Sequence, residues 1–176
     1  MRIISGYLKG KIFSNLSNAT HPMSEKIRGG LFNILGDIDG LTVLDCYAGT
    51  GAIAFEAISR GAKSAVVVES NKKAQSSIIN NIRNLELKAK VKLIDSTVNQ
   101  FVNHHNRLFD LVICDPPFDQ PVDRETILRL ERLVSDHGLL ILSLPIDSFN
   151  MSFEALSVIK EKVYGDARLV FFRRKI

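Results

Sequence analysis

The chain has 176 residues, enough for one domain, and 45% of them are apolar, which excludes global disorder. No apolar run approaches the roughly 18 to 20 residues of a membrane span, and the N-terminus lacks the apolar core of a secretory signal. Two cysteines, Cys46 and Cys114, are too few for a disulfide framework, so a cytosolic protein with reduced thiols is expected. Net charge is +4, from 23 basic and 19 acidic residues, and its distribution is uneven. Residues 1–24 hold Arg2, Lys9 and Lys11 with no acid, and the last nine hold Arg168, Arg173, Arg174 and Lys175 with no acid. Such ends could meet phosphate, although solvated termini look the same.

In chain order, Arg2–Ser5 and Lys11–Phe13 read as two short strands around a turn closed by Gly6 and Gly10. Ile27, Leu31 and Leu35 recur at helical period, predicting a helix over Ser24–Leu35 that Gly36 ends. Strand and helix then alternate. Strands are expected at 42–46, 64–69, 91–94, 109–114 and 139–144. Helices are expected at 51–60, around Ala74, Ile78, Ile82 and Leu85, at 96–104, and through Ile127, Leu130 and Val134 with Asp123 as N-cap. The strands are nearly all apolar, as they are when helices cover both faces of a sheet. This predicts an α/β Rossmann-like fold, a mostly parallel doubly wound sheet. At the end, 156–163 and 168–173 flank Tyr164-Gly165-Asp166-Ala167 and read as an antiparallel hairpin. Residues 1–36 are taken as an extension of the same domain and 37–176 as its body.

Asp45, Glu69, Asp95 and Asp115 stand at or just past the ends of the first four strands, separated by 24, 26 and 20 residues. In open α/β sheets ligands sit beyond the carboxyl ends of the strands, so all four acids are expected to face one crevice. They suit either Mg²⁺ or a ligand rich in hydrogen-bond donors. Ala48-Gly49-Thr50-Gly51-Ala52 lets backbone approach a ligand and aims helix N–H groups at it. It lacks the lysine of a nucleoside-triphosphate loop. Gly49-x-Gly51-x-x-Ala54 with Glu69 also satisfies the dinucleotide fingerprint. Asp45 would repel a pyrophosphate, however, and little chain is left for a separate substrate domain.

Val43-Leu44-Asp45-Cys46-Tyr47-Ala48-Gly49-Thr50-Gly51 resembles motif I of the S-adenosylmethionine (SAM)-dependent methyltransferases. The resemblance implies that Asp45, Ala48, Gly49 and Gly51 hold the methionine end and that Glu69 accepts both ribose hydroxyls. Asp95 would accept the adenine amine, with the Ser96 backbone nearby. Asp115-Pro116-Pro117-Phe118 resembles the signature of enzymes that methylate planar nitrogen groups. An exocyclic base amine is a poor nucleophile because its lone pair is delocalised into the ring. Asp115 and the Pro116 carbonyl can each accept one N–H, Pro117 helps freeze the loop, and Phe118 can stack on the base. The same loop would serve an adenine N6 amine in DNA or RNA, or a protein glutamine amide.

Nearly the whole chain resembles the small bacterial 16S ribosomal RNA guanine-N2 methyltransferases. The resemblance rests on Met1–Gly6 with Gly10-Lys11, on Pro22–Leu35, on Glu56–Ala62, on the Asp-Pro-Pro-Phe loop and on Tyr164-Gly165-Asp166. It implies SAM as cofactor, ribosomal RNA or the assembling small subunit as partner, and neither a metal nor a membrane. RNA contacts are expected from Arg2, Lys9, Lys11 and Arg28. One departure is His21-Pro22-Met23 in place of the family's Arg-Pro-Thr, which loses the threonine hydroxyl or moves its role to Ser24. Another is Ser143-Leu144-Pro145 at the end of the fifth strand, where relatives commonly carry a glutamate.

Overall fold

In the computed structural model, residues 1–14, 23–117, 123–148 and 150–175 are described. One seven-stranded sheet carries the molecule: β1 (Thr42–Cys46), β2 (Ser64–Glu69), β3 (Val91–Asp95), β4 (Phe109–Cys114), β5 (Val134–Pro145), β6 (Leu156–Tyr164) and β7 (Ala167–Arg174). The spatial order is β3-β2-β1-β4-β5-β7-β6. The first five strands are parallel, and β7 runs antiparallel to both β5 and β6. The order reverses between β1 and β4, which opens a crevice at their carboxyl ends.

Helices α1 (Glu25–Leu35), α2 (Ala52–Ser59) and α3 (Lys72–Asn84) cover one face, and α4 (Val98–His104) and α5 (Arg124–Arg129) the other. Alternate strand residues feed two separate cores. Val43, Val67, Ile113 and Ile141 join α1–α3, while Leu44, Val68, Val112 and Leu142 join α4 and α5. That period of two explains the unbroken apolar runs. Side-chain caps start four helices: Ser24 for α1, Asn71 for α3, Thr97 with Gln100 as a capping box for α4 and, as expected from the sequence, Asp123 for α5.

Two local expectations are corrected. The N-terminal hairpin is a single antiparallel bridge, Arg2 to Ile12, rather than two strands. Its arms still bond each other at Ile3 N–H to the Lys11 carbonyl and Phe13 N–H to the Met1 carbonyl, and other backbone groups turn to α2: Ile4 N–H and Ser5 N–H donate to the Glu56 carboxylate at 2.8 and 3.0 Å, and Tyr7 N–H donates to the Ser59 carbonyl at 2.9 Å. Gly6, at φ 83°, lies so close to that carbonyl that a Cβ would overlap it. The second correction concerns Val134. The helix turns 3₁₀ over Leu130–Leu133, and Val134 already pairs with Phe109 as the first residue of β5. A β-branched residue satisfies either period, and strand pairing decides.

Candidate active site

A cleft of about 830 Å³ opens over the carboxyl ends of the parallel strands. Its floor is the glycine loop. Tyr47, at φ 61°, starts the turn; Ala48 N–H donates to the Val68 carbonyl and Gly51 N–H to the Ala48 carbonyl. The two glycines serve different ends. A Cβ on Gly51 would lie 2.7 Å from the Phe55 ring, so that position is bare for packing. Gly49, at φ 55°, has among the described residues only the Tyr47 carbonyl within 4.0 Å of such a Cβ and presents open backbone to the cleft.

The four strand-end acids do not share the crevice. Glu69 and Asp115 line it. Glu69 accepts from Gly49 N–H at 2.8 Å and from Asn71 N–H at 2.7 Å, which ties the loop to β2. Asp115 follows β4, and its N–H donates to the Cys46 carbonyl. Burial pushes its carboxyl up to about 6, against a lowering hydrogen bond from the Ser143 side chain. Asp45 shares the strand face of Val43 and lies beneath the cleft, 1% exposed. Its Oδ2 accepts from Ala54 N–H at 3.1 Å and its Oδ1 has no partner. Burial, with Asp115 and Glu69 nearby, outweighs the Ala54 bond and raises it to about 8. Asp95 is exposed and turned outward, bound by the Lys72 ammonium and, at 2.6 Å, by Gln75 Nε2. Those bonds, Lys72 first, hold its carboxyl below the usual range. Ser96, Thr97 and Asn99 line the cleft at this end in its place.

Of the residues expected to be catalytic, Asp115, Pro116 and Pro117 line the cleft, and Phe118 lies outside the described residues, as do His21 and Pro22. Ala48 also lines it, whereas Gly51 sits behind as the left-handed N-cap of α2. Arg2, Lys9 and Lys11 are exposed, with Arg2 paired to Glu25 at 3.3 Å. Arg28 is not a surface residue. It is 0% exposed, 3.8 Å from the equally buried Glu56, and donates to the Arg2 carbonyl at 2.7 Å. Burial lowers its pKa and Glu56 opposes that. The expected phosphate contact is therefore replaced by a structural clamp. Its place was legible, since Arg28 shares the 28-31-32-35 stripe with Leu31, Phe32 and Leu35.

The cleft has further walls that strand-end reasoning does not reach. Met23, Ser24 and Ile27 bring the start of α1 over it, and Ser24 Oγ accepts Ile27 N–H there as a cap. Asn99 donates to Asp123 at 3.2 Å and to Thr126 at 2.7 Å across the far end. Asp166 and Ala167 close the β5–β7 side. Among the described residues no group of three or more His, Cys, Asp or Glu could hold a metal, and no helix is long and apolar enough to cross a membrane.

A sheet ordered 3-2-1-4-5-7-6 with β7 antiparallel, and a glycine loop opening on its switch point, make up the class I SAM-dependent methyltransferase fold. Residues 1–173 match the family model described as Conserved hypothetical protein 95, and the chain belongs to that family. It is 29% identical to Ribosomal RNA small subunit methyltransferase D of Escherichia coli over 180 residues, covering 99% of this chain and 90% of that one. It is 35% identical over 132 residues to the protein of the same name from Buchnera aphidicola, covering 73% of this chain and 69% of the relative. The solved structure of yhhF from Escherichia coli superposes with a TM-score of 0.90 at 27% identity, covering 99% of this chain and 98% of that one.

Proposed function

We propose that the chain methylates the exocyclic N2 amine of a guanine in small-subunit ribosomal RNA. The observation that carries this reading is Asp115-Pro116-Pro117 on the cleft wall, with a carboxyl that burial pushes up to about 6 against the lowering bond to Ser143, so that it is ionised and able to accept at neutral pH. The relatives' names supply the RNA class.

The cradle fits SAM. The open backbone at Gly49 admits the methionine end at close range, and Asp45, buried beneath the cleft, braces the start of α2 behind the loop through Ala54 N–H. Glu69 spends one hydrogen bond per oxygen on backbone, and each carboxylate oxygen has a second lone pair for a ribose hydroxyl. Ser96 and Asn99, rather than the outward Asp95, would meet the adenine. When bound, SAM supplies an electrophilic methyl on a sulfonium. Asp115 and the Pro116 carbonyl would accept the two N–H groups of the amine and favour a pyramidal nitrogen with its lone pair free. Proline fixes that carbonyl before the base arrives, so no reorganisation is needed at the moment of transfer. The methylated nitrogen then sheds a proton. Residues 1–36 are read as an extension that braces the cleft's roof, and the exposed Arg2, Lys9 and Lys11 as RNA contacts.

The test is transfer from labelled SAM to free small-subunit RNA, assembled small subunits, duplex DNA and a release factor. Transfer to either RNA form, mapped to guanine N2, is expected. Clear transfer to DNA or protein with none to RNA would overturn the reading.

A further inference from the structure

The β5–β7 side of the cleft carries one carboxylate that the reading above does not use. Asp166 lines the cleft with Asp115, Pro116, Ser143 and Ala167. Strand register puts it at the same end as Asp115. Ala167 pairs with Pro145 at the carboxyl end of β5, and Leu142 of β5 pairs with Cys114, the residue before Asp115. The hairpin tip that bears it is fixed twice. The Asp166 carbonyl accepts from Ile146 N–H at 2.8 Å. The Tyr164 hydroxyl packs against Gly30 of α1 so closely that a Cβ there would overlap it. The Asp166 carboxylate itself is exposed and has no ion pair or side-chain hydrogen bond among the described residues. It is a held acceptor facing the same space as the amine-binding loop.

Base edges differ in what they offer such an acceptor. Beside its N2 amine, guanine presents the ring N1–H, so two donors stand side by side before the O6 acceptor. Adenine and cytosine place an acceptor, the bare ring nitrogen, next to their exocyclic amine. A carboxylate only accepts, so against those edges it would be desolvated and repelled. We propose that Asp166 selects guanine by accepting N1–H from the base whose N2 amine lies on Asp115 and Pro116. This rests on the guanine-N2 reading above. It adds a specificity-determining residue that leaves the transfer step itself to the Asp-Pro-Pro loop.

The probe is 2-aminopurine, which keeps the N2 amine and lacks N1–H. Once the modified guanine is mapped, small-subunit RNA carrying 2-aminopurine at that position is prepared by ligation, and kcat/KM is compared with the guanine form. The wild-type enzyme is expected to prefer guanine by about 10²-fold, the scale of one hydrogen bond to a charged group. Asp166→Ala and Asp166→Asn should lose guanine turnover, keep 2-aminopurine turnover, and bring the ratio below about tenfold, with SAM affinity by calorimetry and Tm unchanged. A ratio equal to wild type in both variants, on an enzyme that methylates guanine, overturns the assignment and leaves the function standing. Failure of the wild type to methylate any RNA guanine overturns both.

Discussion

Glu56 ties the N-terminal segment and α1 to α2, and its removal gives a sharp test of the packing described. It is fully buried on α2. It accepts Ile4 N–H, Ser5 N–H and, at 2.8 Å, Arg60 Nε, and it is the counter-charge of the fully buried Arg28. In Glu56→Ala the backbone groups of Ile4 and Ser5 are half-buried and can recover water, and Arg60 is partly exposed. Arg28 has no such recourse. Its Nε and Nη1 have no hydrogen-bond partner even in the intact protein. Losing the partner of a buried ion pair costs about 3–5 kcal/mol. That is a large share of the roughly 5–15 kcal/mol that holds a domain together. With a urea m-value of about 2 kcal/mol/M, the unfolding midpoint should fall by about 2 M. Arg28→Met should cost much less, because Glu56 keeps three donors, and adding it to Glu56→Ala should recover much of the loss. A Glu56→Ala midpoint within about 0.5 M of wild type, equivalent to about 1 kcal/mol, would refute the clamp. So would an Arg28→Met penalty equal to that of Glu56→Ala.

Asp45→Asn tests the buried acid. Its folded pKa of about 8 lies above the unfolded value of 3.8, so the folded state holds an extra proton between them and this group's contribution falls as pH rises through that window. The variant should therefore gain on wild type by up to about 1.4 kcal/mol per pH unit from pH 4 to 8, and a pH-independent difference in denaturation would count against the assignment. For Asp115, raised to about 6, the acceptor is the ionised form, so kcat/KM should fall as pH drops through about 6; a profile flat from pH 5 to 8 would contradict the role. Glu69→Ala removes the ribose acceptor and the tie to Gly49 N–H, and should weaken SAM by about 10- to 100-fold in calorimetry, since hydrogen bonds to charged groups contribute about 1.5–3 kcal/mol. Gly30→Ala drives a methyl into the Tyr164 hydroxyl and ring and should lower Tm by several degrees, with rescue by Tyr164→Ala but not by Tyr164→Phe, whose Cζ would still lie 2.7 Å from the methyl.

The alternation of strand and helix was legible because each parallel strand is buried on both faces and each helix carries a one-sided stripe. The glycine loop and the Asp-Pro-Pro run were legible because few backbones require them. What misled was the equation of a carboxylate at a strand end with a carboxylate in the cleft. Asp45 lies one residue before the end of β1, and the period of two turns it under α2 toward Ala54 N–H. Asp95 ends its strand as expected, but α3 sets Lys72 and Gln75 beside it and draws it outward. Neither partner is local in sequence, so no spacing rule reaches them. From the sequence Asp166 is part of a turn and of a segment shared with the family, without a role at the site, since its place over the cleft depends on the antiparallel return of β7.

The reversal of strand order between β1 and β4 has a consequence for how this cleft can be altered. One wall comes from a stretch ending at Asn99 and the other from a stretch beginning at Asp115. Substitutions at 143 and 166 are therefore separated from Gly49, Glu69 and Ser96 by whole strands, and a library built on either stretch leaves the other's scaffold as it was. The seam is the bond set from Asn99 to Asp123 and Thr126, where the two stretches meet side chain to side chain. Non-additivity between changes on the two walls should concentrate there.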